Sequence, residues 1–135
     1  MLVAMGVGLA SRALDEAVEY AKVRQQFGKP IANLQAIQMI IADIAMQTEA
    51  ARQLVYHTAE LVDAKMPYSK YASMSKCMGG DIAMKVSIDA LQVLGGFGYM
   101  KEYPLEKLVR DAKILQIYEG TNQIQRMIIA GEVLR

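Results

Sequence analysis

Apolar residues recur at alternating spacings of four and three along most of this chain, as they do on one face of an α-helix. The other faces of the first segment carry charged residues, which predicts an amphipathic helix ending near Gln26. Pro30 then breaks the pattern, because it disfavours helical geometry at Lys29. The apolar stripe of this first helix is Val3, Val7, Ala10, Leu14, Ala17 and Ala21.

Two further long helices are predicted by the same spacing. The second runs to about Lys65, and Met66-Pro67 separates it from a third that starts near Tyr68. The third ends at "LGGFGY", where Gly95 and Gly96 are expected to adopt the left-handed geometry that terminates helices. The second stripe is Ile37, Ile41, Ile44, Thr48, Ala51, Val55, Thr58 and Val62, and the third is Met74, Cys77, Met84, Ile88 and Leu91.

A short fourth helix from about Pro104 to Lys113 and a final one from about Thr121 to Leu134 complete the pattern. No alternating strand pattern, repeat or linker divides the chain. The fold class is therefore all-α, an up-and-down helical bundle of three long and two shorter helices, in a single domain at 1–135.

Three polar or flexible residues interrupt the third stripe. Gly79 and Gly80 weaken the helix locally, and their expected use is to let another backbone approach closely. Asp81 needs either a buried partner or water, and a place at the margin of the helix is the simpler expectation.

Composition narrows the classes of function. The net charge of +1 disfavours nucleic acid and anionic membranes as partners, and no apolar stretch reaches the ~20 residues of a membrane span. The single Cys77 and single His57 offer neither a disulfide nor a metal cluster, so both are expected to be packing or surface residues. Apolar residues make up 53% of the chain and give the helices wide apolar faces, which favours association with further protein surface.

Irregular segments lie at 24–35, 92–104 and 116–124. Taken alone, "QIYEGTNQI" at 116–124 is typical of a surface turn in which Thr121 caps the next helix, and Glu119 would then be an ordinary surface carboxylate. The glycines of the 92–104 segment are no dinucleotide fingerprint, because they follow a helix rather than a strand.

Together, in this order and spacing, the three segments resemble the C-terminal helical domain of the acyl-CoA dehydrogenase flavoproteins, in particular the short- and medium-chain straight-chain members. The resemblance covers nearly the whole chain. The matching residues are Arg24, Phe27 and Gly28, then Gln92, Gly95, Gly96 and Gly98, and then Arg110, Asp111, Ile117, Tyr118, Glu119, Gly120 and Thr121.

The resemblance implies FAD as the cofactor, bound by residues from two subunits. Residues matching contacts to the neighbouring subunit's FAD are Arg24, Gln25, Gln26, Phe27, Leu34, Gln35, Gln92, Val93, Leu94, Gly95 and Gly96. Residues matching contacts within the same subunit are Thr121, Asn122 and Gln123. A guanidinium such as that of Arg24 suits a pyrophosphate because it stays charged and donates in a planar fork.

Glu119 matches the family's catalytic base, as in the majority of members. By resemblance it removes the α-proton of an acyl-CoA while hydride leaves the β-carbon for FAD, giving the trans-2-enoyl-CoA. Tyr118 and Gly120 are expected at the substrate, Gly120 because it is small beside the thioester. The resemblance also implies a role in fatty acid β-oxidation.

We further expect the family's N-terminal helical and middle β-domains to be absent, so that this chain alone binds FAD poorly and is inactive. Expected partners are an acyl-CoA substrate, an electron-transfer flavoprotein and further copies of the chain in a homodimer or homotetramer. The expected location is the bacterial cytoplasm or the mitochondrial matrix. The alternative is a noncatalytic helical oligomerisation module, which explains the bundle equally well but leaves the coincidence of Arg24, Gln92 and Glu119 with one family's site unexplained.

Overall fold

A computed structural model describes residues 2–135 of the chain. Those residues form five α-helices, and α3 packs against each of the other four. This confirms the predicted all-α bundle with three long and two shorter helices. The helices are α1 (Leu2–Val23), α2 (Gln35–Asp63), α3 (Ser69–Leu94), α4 (Leu105–Leu115) and α5 (Asn122–Val133).

The core between α1 and α3 is built largely from small residues. α1 presents a fully buried stripe of alanines, and α3 answers with short side chains, so the two helix axes approach closely. Ile44 of α2 and Leu105 of α4 close the core from the other sides. The main contributors are Ala10, Ala13, Ala17 and Ala21 of α1 and Val86, Ala90, Val93 and Leu94 of α3.

Gly79 and Gly80 serve the close approach that was predicted for them. A Cβ added at Gly6 of α1 would lie 2.9 Å from the Gly79 carbonyl oxygen. A Cβ added at Gly80 would lie 3.1 Å from the carbonyl oxygen of Leu115, at the end of α4. The two glycines therefore seat α1 and the C-terminal end of α4 on the same helix.

The predicted apolar stripe of α3 needs one correction. Ile88 is 47% exposed, whereas the neighbouring Val86, Ser87 and Ala90 are buried. Because α3 is surrounded by four helices, its buried positions are the ones where neighbouring backbones come near, and these favour small side chains over large apolar ones.

The connection between α1 and α2 contains structure that periodicity did not predict. α1 ends at Val23 rather than near Gln26, because β1 (Gln25–Gln26) pairs antiparallel with β2 (Lys29–Pro30). Phe27 and Gly28 form the turn with φ of 54° and 75°. Two-residue strands are too short to show an alternating pattern, so only the turn residues could have indicated this hairpin in the sequence. A 3₁₀ turn at Ile31–Asn33 leads into α2.

The end of α3 also differs in detail from the prediction. Gly95 has a positive φ of 60°, but its ψ of −137° lies outside the left-handed helical region, and Gly96 has no positive φ. The chain instead tightens into a 3₁₀ helix at Gly95–Tyr99. Gly98 is the closely packed glycine, since a Cβ there would come within 2.7 Å of the Leu91 carbonyl oxygen.

No helix among residues 2–135 is long and apolar enough to cross a membrane.

Candidate functional site

The α1–α2 connection and the end of α3 enclose an open groove of about 580 Å³. Eight residues predicted to contact FAD line this groove, although they come from segments far apart in the chain. Helix α3 runs parallel to α1, with Gly79 near Gly6 and Phe97 near Tyr20, and this brings its C-terminal end beside the hairpin. The eight residues are Arg24, Gln26, Phe27, Leu34, Val93, Leu94, Gly95 and Gly96.

Arg24 occupies the polar side of the groove. Its guanidinium carbon lies 5.1 Å from the centre of the Phe97 ring, a cation–π contact that holds the planar group flat against an aromatic face. Its backbone is fixed by two hydrogen bonds, because the Arg24 N–H donates to the Tyr20 carbonyl at 2.9 Å and its carbonyl accepts from the Ile31 N–H at 2.8 Å. The guanidinium is therefore presented in the groove by rigid neighbours.

Sequence reasoning missed the aromatic residues that support Arg24. The rings of Tyr20, Phe97 and Tyr103 lie with centroids 5.8 to 6.3 Å apart, two of the three pairs edge to face. Tyr20 precedes Arg24 by one helical turn, a spacing that places both on one face of α1, and this was the available signal. The position of Phe97 depends on the 3₁₀ helix and had no signal of its own.

Gly95 and Gly96 leave open space at the groove. No atom lies within 4 Å of the place where a Cβ would stand at either residue. A flat ligand can therefore approach the main chain here, against the apolar wall of Val93 and Leu94. Together with a guanidinium and the 86% exposed Phe27 ring, these features fit part of a dinucleotide such as FAD.

Three of the residues predicted to contact the neighbouring subunit's FAD do not line the groove. Gln25 lies in β1, Gln35 is the first residue of α2, and Gln92 lies in the last turn of α3. All three are exposed beside groove residues and are available to a ligand that extends beyond it.

Glu119 lies in the loop between α4 and α5, in a left-handed conformation with φ of 55°. Gly120 follows with φ of 84°, and Thr121 caps α5 by accepting a hydrogen bond from the Ile124 N–H at 3.3 Å. The predicted turn and cap are therefore confirmed. Left-handed geometry is strained for a residue with a side chain and is typical of functional positions.

The carboxylate of Glu119 is exposed and has no hydrogen-bond or ion-pair partner within residues 2–135. Its backbone N–H likewise donates to no acceptor in that part of the chain, although the N–H groups of Tyr118 and Asn122 are both bonded. Glu119 thus offers a proton acceptor and a hydrogen-bond donor from one residue. Tyr118 is half-buried against the small core cluster of Ala83, Ala112 and Leu115.

Asp81 of α3 lies beneath this loop. Its side chain is 39% exposed, so it lies at the helix margin as predicted, but it also accepts three strong hydrogen bonds that sequence reasoning did not foresee. Burial alone would raise the pKa of this carboxyl, but the bonds from Arg126, Gln116 and Asn122 outweigh it and lower the pKa.

Asn122 is buried, with only 3% of its surface exposed, and its polar groups are used inside the domain. Its amide donates to Asp81 at 2.8 Å and to the Cys77 carbonyl at 3.1 Å, and its backbone N–H donates to the Gln116 carbonyl at 3.0 Å. All three donors are therefore taken within the domain, and its predicted contact with FAD stays a prediction. Its predicted neighbours Thr121 and Gln123 border a second, polar cavity of about 310 Å³.

Lys76 is the least expected member of this region. It is 7% exposed, and its ammonium donates to the Asn122 side-chain oxygen at 2.8 Å. Burial lowers the pKa of Lys76, against the opposing effects of Cys77 and Asp81. The thiol of Cys77 is buried as predicted, and burial raises its pKa, so it is not an activated nucleophile. In the described part of the chain no cluster of His, Cys, Asp and Glu could hold a metal ion.

Comparison with known proteins agrees with this geometry. Residues 1–134 match the family described as acyl-CoA dehydrogenase, C-terminal domain. An acyl-CoA dehydrogenase of Bacillus subtilis is 53% identical over 133 residues, which are 98% of this chain and 35% of that protein. An acryloyl-CoA reductase (NADH) of Anaerotignum propionicum is 52% identical over 132 residues, which are 98% of this chain and 34% of that protein.

A solved structure of butyryl-CoA dehydrogenase from Megasphaera elsdenii superposes with a TM-score of 0.97 at 47% identity. The match covers 99% of this chain and 35% of that structure. This chain therefore spans about a third of the length of the relatives that it matches. It belongs to the acyl-CoA dehydrogenase family, as the C-terminal helical domain.

Proposed function

We propose that this domain supplies the catalytic base and part of the FAD site of an acyl-CoA dehydrogenase. The observation that carries the proposal is Glu119 itself. It presents an exposed carboxylate and an unused backbone N–H from a strained residue, in a loop that the rest of the domain holds in place.

The chemistry requires both groups of Glu119. The α-proton of a thioester is too weak an acid for an ordinary carboxylate, so the developing enolate needs stabilisation. The Glu119 N–H can donate to the thioester carbonyl, and a bound acyl chain would exclude water from the carboxylate and raise its pKa. Gly120 adds no side chain of its own beside the thioester, and the nearest atom to the place of a Cβ is Nε2 of Gln125, at 2.8 Å.

The groove supplies contacts for the FAD of a neighbouring subunit. Arg24 would pair with the pyrophosphate, while the main chain at Gly95 and Gly96 would lie close to the flat rings. When bound, FAD supplies the acceptor for the hydride that leaves the substrate β-carbon. Glu119 accepts the accompanying proton from the α-carbon.

The reverse reaction is a second candidate, since one relative at 52% identity is named a reductase. The same residue would then act as an acid, because protonated Glu119 would return a proton to the α-carbon of an enoyl-CoA. The rate of flavin reduction by butyryl-CoA, compared with the rate of reduced-flavin oxidation by crotonyl-CoA in the full-length protein, shows which direction is favoured.

Two partners follow from this function. We infer that an electron-transfer flavoprotein takes up the electrons and that copies of the chain associate through exposed apolar residues of α2 and α5. Large apolar side chains exposed on both helices are typical of a surface that binds another protein. Sedimentation of the full-length protein tests the association, with a monomer as the contradicting result. The residues are Met39, Met46 and Tyr56 of α2 and Ile124, Met127 and Ile128 of α5.

The function is tested by mixing the full-length protein, under anaerobic conditions, with butyryl-CoA. We expect FAD to copurify in stoichiometric amount, its visible absorbance to bleach, and the trans-2-enoyl-CoA to form. A full-length protein that holds no flavin but still associates would favour the noncatalytic module instead.

A further inference from the structure

The loop that carries Glu119 is closed at its two ends by side chains that meet on a single oxygen atom. The Asn122 N–H donates to the Gln116 carbonyl at 3.0 Å, which brings the ends of the loop together. The side-chain amides of the same two residues then both donate to Oδ1 of Asp81, at 2.7 Å from Gln116 and 2.8 Å from Asn122. The end of α4 and the start of α5 are thereby tied to one point on α3.

The second oxygen of Asp81 is also occupied. Oδ2 accepts from Nη2 of Arg126 at 2.6 Å, one turn into α5. The guanidinium also donates to the Asn122 carbonyl at 3.3 Å. Asp81 therefore holds the first turn of α5 as well as the loop that precedes it.

Lys76 selects the orientation of the Asn122 amide. An ammonium can only donate, so the side-chain oxygen of Asn122 must face it, at 2.8 Å. The amide nitrogen then has to face the opposite way, toward Asp81 and the Cys77 carbonyl. The oxygen and nitrogen ends of an asparagine side chain have nearly the same shape, so that either could face a given neighbour. Lys76, only 7% exposed, fixes which end faces which way.

We propose that Asp81 and Asn122 are positioning residues that hold the loop carrying Glu119 in its reactive conformation. A hydrogen-bonded polar network around a buried residue such as Asn122 favours one conformation over its alternatives. Among residues 2–135 no buried side-chain nitrogen or oxygen is without a partner, and this includes those of Asn122 and Lys76. The inference rests on the proposed function and deepens it.

The backbone of the loop gives an independent reason for such support. Glu119 has a positive φ, and such a strained conformation persists only where its surroundings determine it closely. Within the loop Tyr118 is anchored by its N–H bond to the Ile114 carbonyl and by packing on the small core cluster. Gln125 of α5 donates to the Glu119 carbonyl at 3.4 Å. The two ends of the loop add further restraint, and those meet at Asp81.

Asp81→Asn in the full-length protein tests the proposal, with Asp89→Asn as the matched control. Asp89 is on the same helix and pairs with Lys85, away from the loop. We measure hydrogen exchange of a peptide spanning 116–122, FAD content, and kcat and KM separately. For Asp81→Asn we expect faster exchange in that peptide and a kcat lowered roughly 10- to 100-fold, as for a displaced catalytic group. FAD content should hold, and KM should stay within about twofold.

Lys76→Met should likewise speed hydrogen exchange in the 116–122 peptide and lower kcat. Where Asp81→Asn loses the folded state, Arg126→Gln decides, because that side chain is 57% exposed and its removal spares the core. Unchanged exchange at 116–122 together with unchanged kcat would overturn the proposal. So would a loss of protection spread evenly over the domain with loss of FAD, since that indicates a general structural role. Hydrogen exchange is measured without turnover, so its result does not depend on the proposed reaction. Full activity in Glu119→Gln would show separately that the proposed reaction is wrong.

Discussion

Gly6 of α1 and Gly79 of α3 face each other across the bundle so closely that a Cβ at Gly6 would stand 2.9 Å from the Gly79 carbonyl oxygen. A Cβ added at Gly79 would in turn lie 2.8 Å from a methyl carbon of Val3. This contact sets the distance between the two helices where they pass each other.

The first prediction concerns this contact. Gly6→Ala should lower the free energy of unfolding by about 1–3 kcal/mol, because the neighbouring atom is backbone and cannot swing away. Gly8→Ala is the control on the same helix, where nothing lies within 4 Å. It should raise stability by about 0.5–1 kcal/mol through helix propensity alone. Urea unfolding of the two variants gives the comparison, and equal effects would contradict the account.

The second prediction uses the strain at Glu119. Replacing it with glycine should stabilise the fold by about 0.5–1 kcal/mol, because glycine adopts positive φ without steric cost. Activity should be lost at the same time. Lys65→Gly is matched, since Lys65 has φ of 54° at the end of α2 and no role in the site. Lys65→Gly should show the same gain in stability, measured by thermal unfolding, with turnover intact. If Glu119→Gly were less stable than the parent, the loop would not be strained at this residue.

The third prediction is a pH dependence of stability. The pKa of Asp81 is lower in the folded state than in the unfolded state, so its contribution is present above about pH 4 and is lost as pH falls through the folded-state pKa. Asp81→Asn should therefore be less stable than the parent by about 1–2 kcal/mol at neutral pH. The difference should shrink below about pH 4. A difference that stays constant from pH 7 to pH 3 would show that the charge is not involved.

The fourth prediction concerns Arg24. Arg24→Gln should weaken FAD binding by the full-length protein about 10- to 100-fold, the loss expected for a charged hydrogen bond. Arg24→Lys should fall between, because it keeps the charge but loses the planar contact with Phe97. The control is Arg12→Gln, at an exposed arginine of α1 that pairs with Glu16. Flavin titration by fluorescence separates the three, and equal affinities would remove Arg24 from the cofactor site.

The helices could be predicted from sequence because their periodicity is a local property. Predicted ends such as Tyr68 and Leu134 lie one residue from the observed ends at Ser69 and Val133. The hairpin at Gln25–Pro30 could not, because its strands are too short for any period. The burial of Lys76 could not be predicted either, because the sequence around it does not differ from the sequence around a surface lysine.

The site required more than local pattern. Asp81 was recognised as a residue in need of a partner, but its partners Gln116, Asn122 and Arg126 are 35 to 45 residues away. Arg24 and Gly95 line one groove only because α3 runs parallel to α1, so that both helices end at the same side of the bundle. The family resemblance brought these segments together as a site, and packing around α3 explains why they meet.

The most direct test of the central claim is the rate of flavin reduction in a single turnover of full-length Glu119→Gln with butyryl-CoA. The amide keeps the shape of the side chain but cannot accept the α-proton. We predict that FAD content matches the parent while the rate falls by at least about 10³-fold. Glu60→Gln, an exposed position on α2, should reduce at the parent rate. A Glu119→Gln protein that bleaches its flavin as fast as the parent would contradict the assignment of Glu119 as the base.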